Sequence, residues 1–307
     1  MICAIIVRKF TEIILGGLMR ALASLPLGFH YACAGCIAWI MKDIVHYRRN
    51  EVVINLSRSF PDKKYKELSV IADKFYKHFA NIIVETVWFG GCRNPERLRK
   101  QEIMTMTNPD VLDKALENSH GVLIMNSHCG NWELLGGIYE YDPRPERHYM
   151  IDDVVVVYKP LENKVWNEVM RKNRCAPVLR QGYKGYLGSG EVMRYVIEHR
   201  NDRKIYIFLN DQYPYKIARN RDRITFMHQE TNAMEAAASM AHKFGMDVLY
   251  MNIKPVARGH YEMRLTPICA DASVMTPQQI NQEFFSLLER DLNEVPWNYL
   301  WSHKRWK

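Results

Sequence analysis

Asn126-Ser127-His128-Cys129-Gly130-Asn131-Trp132-Glu133, preceded by Gly121-Val122-Leu123-Ile124-Met125, is the stretch that decides how this chain folds. The apolar run is short and well bounded, as suits a strand buried on both faces. A second apolar stretch begins at Leu134, so His128 falls in a strand-to-helix turn at the carboxyl end of a strand. Open α/β sheets gather their chemistry at that edge.

A His and a carboxylate five residues apart lie about 140 degrees apart on a helix, so they meet only if the His is in the turn. Asn131 is placed to cap the helix that follows, which puts Glu133 in its first turn, where free N–H groups and the macrodipole favour an ionised carboxylate. The expectation is that Glu133 accepts a bond from one imidazole nitrogen and fixes the tautomer, leaving the other nitrogen as a base. A zinc site is a poorer reading, because no second His follows at i+4 and no Cys pair has ligand spacing. Cys129 as a nucleophile has no supporting residues.

The His128 to Glu133 spacing resembles the H-x4-D/E signature of glycerolipid-type acyltransferases, and the chain as a whole resembles their lipid A late acyltransferase branch, the lauroyl/myristoyl transferases. The further matches are Asn55-Leu56 before Phe60-Pro61, Tyr158-Lys159-Pro160, Arg171, Asp211-Gln212 and the ending Trp301-Ser302-His303-Lys304-Arg305-Trp306-Lys307. They span nearly the whole chain in the family's order. The resemblance implies an α/β fold, a central mixed sheet flanked by helices, with an N-terminal membrane-anchoring helical segment. It implies that Asp211 contributes to the active site and that Arg171, with Arg174 in reserve, is the functional arginine. Arg171 either caps the negative end of its helix dipole or binds a phosphate or an oxyanion, the oxyanion falling to Arg171 or to backbone N–H groups near Cys129-Gly130. Asn126, Asn131, Trp132, Arg174 and Gln212 are the candidates for contacts with substrate.

The 307 residues, 48% of them hydrophobic, supply a sizeable core, and no repeat or low-complexity tract divides them. One catalytic domain over residues 48–307 behind an N-terminal anchor over 1–47 is the expected organisation. A net charge of +8 favours anionic partners such as phospholipid headgroups, phosphorylated glycolipids or an acidic carrier protein. The basic residues are spread out and no nucleic-acid module is recognisable, so nucleic acid is not an expected partner.

Residues 21–41 carry no formal charge, about the length that crosses a bilayer's hydrocarbon core, but Pro26, Gly28 and Gly35 interrupt them. Arg8 and Lys9 before the segment and Lys42, Arg48 and Arg49 after it give no clean orientation. A span, a helix in the interface and a hairpin entering one leaflet all fit; the alternative is a buried helical hairpin. Seven cysteines in no framework suggest a reducing compartment.

Residues 48–91 read as two helices broken at Phe60-Pro61-Asp62, their aromatic residues packing on the sheet or lining an acyl groove. Strands are expected at 154–158, 204–209, 247–253 and 261–266, and helices at 161–174, 192–199, 231–244 and 278–293. Asp211 follows the 204–209 strand, so polar groups again sit at a carboxyl edge. Arg219, Arg221 and Arg223 form a basic loop, either solvated or a headgroup contact. Trp297, Trp301 and Trp306, beside Lys304, Arg305 and Lys307, suit either a membrane interface or packing against the domain.

The resemblance implies acyl transfer from an acyl-carrier-protein thioester to a hydroxyl of a lipid A precursor, an anionic glycolipid, at the cytoplasmic face of the inner membrane. His128 acts as general base oriented by Glu133, and no metal or organic cofactor is called for, since the thioester supplies the driving force. The alternatives are the same chemistry on a lysophospholipid or amino-acid lipid, and a lipid-binding protein without turnover.

Overall fold

Strand β2 (Gly121–Asn126) is apolar from Val122 to Met125 because it is covered on both faces. Val122 and Ile124 point into one core and Leu123 and Met125 into the other. The computed structural model describes residues 2–179, 182–214 and 223–306; Arg219 and Arg221 lie outside them. Within these residues β2 is the centre of a seven-stranded mixed sheet, joined by β1 (Met104–Met106), β3 (Val154–Tyr158), β4 (Tyr186–Gly188), β5 (Lys204–Leu209), β8 (Asp247–Ala257) and β9 (His260–Cys269). The spatial order is β1-β9-β8-β2-β5-β3-β4. The block from β8 to β4 is parallel; β9 turns back against β8 and carries β1 with it. The expected α/β sheet is therefore present, with the β2 and β5 edges side by side.

The helical layer forms where the sequence breaks predict. α3 (Arg49–Ser59) ends before Phe60-Pro61, and α4 (Tyr65–Phe89) starts with the Lys64 amide donating to Glu67 Oε2 at 2.9 Å. The aromatic residues Phe75 and Trp88 on α4 are buried core residues. One expected helix begins late. Residues 231–235 precede α10 (Ala236–Phe244), and Thr231 and Asn232 belong instead to a hairpin of β6 (Arg223–Phe226) and β7 (Gln229–Asn232). Its turn, Met227-His228, has both residues at positive φ (51° and 64°), the primed-turn geometry that matches strand twist. Neither residue advertises that turn in sequence.

α1 (Ile2–Ala23) and α2 (Leu27–Trp39) meet at a sharp bend before Pro26. Ala34 and Ala38 of α2 lie against Ala80 and Val84 of α4, small side chains that let the helices approach closely. The outward faces stay apolar and uncovered: Phe10, Ile13, Phe29, Trp39 and Val45 are all more than half exposed. A buried hairpin does not describe this pair. No single described helix is long and apolar enough to cross a membrane, although the pair Val7–Ala23 and Leu27–Ile44, bent by 107°, has the length and composition together.

The tail is packed rather than splayed. Trp301 and Arg305 are fully buried, Arg305 Nη1 donates to Thr231 Oγ1 at 2.6 Å, and Asn55 Nδ2 donates to the carbonyls of Trp301 and His303, both at 2.8 Å. Of the two readings of the tryptophan-rich ending, packing against the domain is the one found.

Candidate active site

The register of two parallel strands builds the centre of the site. Asn126 on β2 pairs with Leu209 on β5, and the ladder continues one step further, with the Asn210 amide donating to the Asn126 carbonyl at 2.9 Å. Two residues past each strand end, the same alignment brings His128 opposite Asp211. The imidazole Nδ1 and Asp211 Oδ1 are 2.7 Å apart. Asp211 is 1% exposed. Burial pushes its carboxyl pKa up, but the facing imidazole and hydrogen bonds from the backbone of His128 and of Asp211 itself outweigh burial and hold it below the usual carboxylate value. An ionised Asp211 accepts a hydrogen bond from Nδ1–H, which leaves Nε2 as the acceptor. Gln212 Nε2 sits 3.1 Å from that atom and donates to it, and the Trp132 ring stands edge-on to the imidazole at 4.8 Å.

Gly130 fixes the turn. Its φ is +60°, and an added Cβ would lie 2.7 Å from the Ile253 carbonyl and 2.2 Å from that residue's side chain, so only glycine fits. Asn298 ties the same point down: its Oδ1 accepts from the Gly130 amide at 2.7 Å while its Nδ2 donates to the Ile253 carbonyl at 3.0 Å. The Gly130 N–H is therefore engaged and does not serve an oxyanion. Cys129 is buried, and burial pushes its thiol pKa well up, so it is a neutral core residue and not a nucleophile.

Asn131 caps the 3-10 turn Trp132–Gly137 as expected, its Oδ1 accepting from the Glu133 amide at 3.2 Å. Glu133 does not, however, touch the imidazole. Its carboxylate faces Arg174 at the end of α8 (Lys164–Arg174), with Arg174 Nη2 donating to Oε1 at 2.7 Å and Nε to the other oxygen. The expected His128–Glu133 contact is thus replaced by two pairs, His128–Asp211 and Arg174–Glu133. The physical reason is direction. Asp211 approaches across the sheet ladder, whereas Glu133, inside the helical turn, points toward α8. Gly136 permits this, since a Cβ there would lie 1.8 Å from the Arg174 carbonyl. Burial works against the Arg174 charge, but hydrogen bonding and attraction to Glu133 outweigh it and raise its pKa.

Arg171, the first choice for the functional arginine, lies one helical turn away from this cluster. It pairs with Glu168 of its own helix at 3.0 Å and is a partly exposed helix-end cation. Arg174, the reserve, is the arginine in the cluster. Asn126 and Asn131 are fully buried, so they shape the turn and do not face substrate; Trp132 and Gln212 remain at the imidazole. Glu85 went unnoticed in the sequence. It is a fully buried carboxyl on α4 that accepts from Asn131 Nδ2 at 2.8 Å, and its one signal is its place inside the apolar run Ile82-Ile83-Val84-Glu85-Thr86-Val87.

A histidine held by a buried carboxylate at the carboxyl edge of the parallel strands, its second nitrogen in the accepting role that Gln212 now meets, is an arrangement suited to general-base chemistry in an α/β protein. The chain belongs to the bacterial lipid A biosynthesis acyltransferases, whose family model matches residues 5–307. That membership assigns it to acyl transfer in lipid A biosynthesis. A search of curated proteins finds no match.

Proposed function

We propose that this chain transfers a fatty acyl group from an acyl-carrier-protein thioester to a hydroxyl of a lipid A precursor, with His128 as the general base and Asp211 as the residue that orients it. The 2.7 Å contact between Nδ1 and Asp211 carries the reading. Asp211 fixes the tautomer and stabilises the imidazolium that forms as Nε2 takes the hydroxyl proton. The acceptor hydroxyl enters where the Gln212 amide now lies against Nε2, displacing it. Attack on the thioester carbonyl gives a tetrahedral oxyanion. Collapse expels the carrier thiolate, and the imidazolium returns the proton to it, so the base is regenerated. A positioned base contributes about 100- to 10,000-fold.

The Arg174–Glu133 pair lies on the helical turn that follows His128 and would orient an anionic group of either substrate. The exposed apolar faces of α1 and α2 support attachment to a membrane surface, and residues 1–47 would hold the catalytic part against the cytoplasmic face of the inner membrane. A groove of about 760 Å³ between α2, α4 and the β8–β9 turn opens beside them, walled by Trp39, Tyr261 and Val256 and rimmed by Lys74 and Lys77. Its apolar walls and cationic rim suit a lipid with an anionic head. Its lining does not include His128, so it would hold a part of the substrate away from the reacting atoms.

The test is incubation of purified protein with acyl-carrier thioesters and a panel of acceptor lipids, with product masses measured. A mass gain of one acyl chain on the lipid A precursor, lost in His128→Ala, supports the reading. Transfer only to a lysophospholipid or amino-acid lipid, or only to water, overturns it.

A further inference from the structure

We propose that Glu85 is a positioning residue for the reaction, acting through Asn131 to fix the turn that carries His128; this rests on His128 being the base. Three hydrogen-bond donors converge on its carboxylate from three different parts of the chain. Tyr31 Oη of α2 donates to Oε1 at 2.8 Å, Tyr261 Oη of β9 to Oε2 at 2.7 Å, and Asn131 Nδ2 of the catalytic turn to Oε2 at 2.8 Å. Burial pushes the Glu85 carboxyl pKa up, and the three hydrogen bonds work against that push and fix where both oxygens sit. Among the described residues, Arg258 is the cation at the cluster, its guanidinium 4.5 Å from the Tyr31 ring centroid and its Nη2 donating to the Tyr31 carbonyl at 2.7 Å.

The consequence reaches the base by a short path. The Asn131 amide turns its Nδ2 toward Glu85 Oε2 at 2.8 Å, which leaves Oδ1 to hold the Glu133 amide at 3.2 Å. Asn131 is thereby clamped at both ends, three residues beyond His128. Asn298 clamps Gly130 from the other side, so the segment from His128 to Glu133 has little freedom. An amide at 85 keeps one acceptor oxygen and puts N–H groups in place of the other, so the three donors lose half of the acceptor they share and the Asn131 end of the clamp loosens.

Two of the three donors also connect the cluster to regions where a lipid would lie. Tyr31 belongs to the apolar α2, and Tyr261 forms a wall of the groove rimmed by Lys74 and Lys77. Glu85 is thus the point at which the lipid-facing side of the molecule meets the turn bearing the base.

The experiment compares Glu85→Gln with Val84→Ala, a neighbouring packing change on the same helix that leaves the cluster intact. Steady-state acyl transfer is measured with thermal stability, and the His128 ring signals are followed by NMR, assigned by their loss in His128→Ala. The expected result for Glu85→Gln is a fall in kcat of roughly 10- to 100-fold with KM for both substrates within about twofold, and shifted His128 signals. Val84→Ala is expected to lose stability without either change. Should Glu85→Gln not fold, Tyr31→Phe removes one donor and is expected to lower kcat about threefold to tenfold, again with a shift at His128. The proposal is overturned if kcat follows only stability, as in Val84→Ala, and the His128 signals stay in place. If the wild type transfers no acyl group yet the His128 signals move in Glu85→Gln, the positioning role stands and the assigned reaction falls.

Discussion

Two charged pairs flank the catalytic turn, and they differ in what their partners can do. His128–Asp211 joins an imidazole to a buried carboxylate and leaves the second ring nitrogen able to accept a proton. Arg174–Glu133 joins a permanent cation to a carboxylate in a two-point fork made by Nε and Nη2. The first arrangement can move a proton; the second can hold a charge or a shape. Proximity in sequence selects the wrong acid for the imidazole, and strand register selects the right one.

The largest effect that separates the two pairs is on turnover. His128→Ala lowers kcat by about 100- to 10,000-fold, and Asp211→Asn, which keeps the shape but loses the charge that sets the tautomer, falls in the same range. Stability should change little by comparison, and circular dichroism of the variants checks that they are folded.

Next comes a loss of stability from the other pair. Arg174→Met leaves the Glu133 carboxylate, whose side chain is only 15% exposed, without its cation. The expected cost is about 3 kcal/mol, read as a lower urea midpoint at unchanged slope. A negligible stability loss with turnover abolished would mean that the Arg174–Glu133 pair, and not only His128–Asp211, works on the reacting atoms.

The support behind the turn adds a pH dependence. His78 on α4 is buried beside Asn298, and burial lowers its pKa to about 4. Its folded value lies below the unfolded one of about 6.5, so the unfolded chain takes up the proton first and stability falls as pH drops through that interval. The slope attributable to this group is about 1.4 kcal/mol per pH unit, and His78→Gln should remove it in unfolding experiments between about pH 6 and 4.5. The smallest effect is expected at Arg171. Its pair with Glu168 is three residues apart on a partly exposed helix face, so Arg171→Ala should change stability by less than about 0.5 kcal/mol and leave kcat close to wild type.

Much of this was legible from residue order. The apolar run at 121–125 and the one at 204–209 announce strands, and each ends at a polar group, so His128 and Asp211 were both placed at a carboxyl edge. What residue order does not contain is which strands are neighbours. Once β2 and β5 are known to pair with Asn126 opposite Leu209, the His128–Asp211 contact follows from the register alone. Glu133 misleads because its spacing from His128 allows a contact without specifying where the first helical turn aims its side chain. Glu85 was hidden for the opposite reason: its partners Tyr31, Asn131 and Tyr261 lie 54, 46 and 176 residues away, so only the anomaly of an acid in an apolar helix could have pointed to it. The β6–β7 hairpin was missed because Met227 and His228 occupy positive φ without the Asn or Gly that usually marks it.

The most direct test sets the two acids against each other: kcat for acyl transfer from an acyl-carrier thioester, measured on Asp211→Asn and Glu133→Gln beside wild type. If the carboxylate across the sheet orients the imidazole, Asp211→Asn loses at least about 100-fold while Glu133→Gln keeps a much larger share of its rate. Near-normal turnover in Asp211→Asn with a collapse in Glu133→Gln would contradict the account and return the role to the acid in the helical turn.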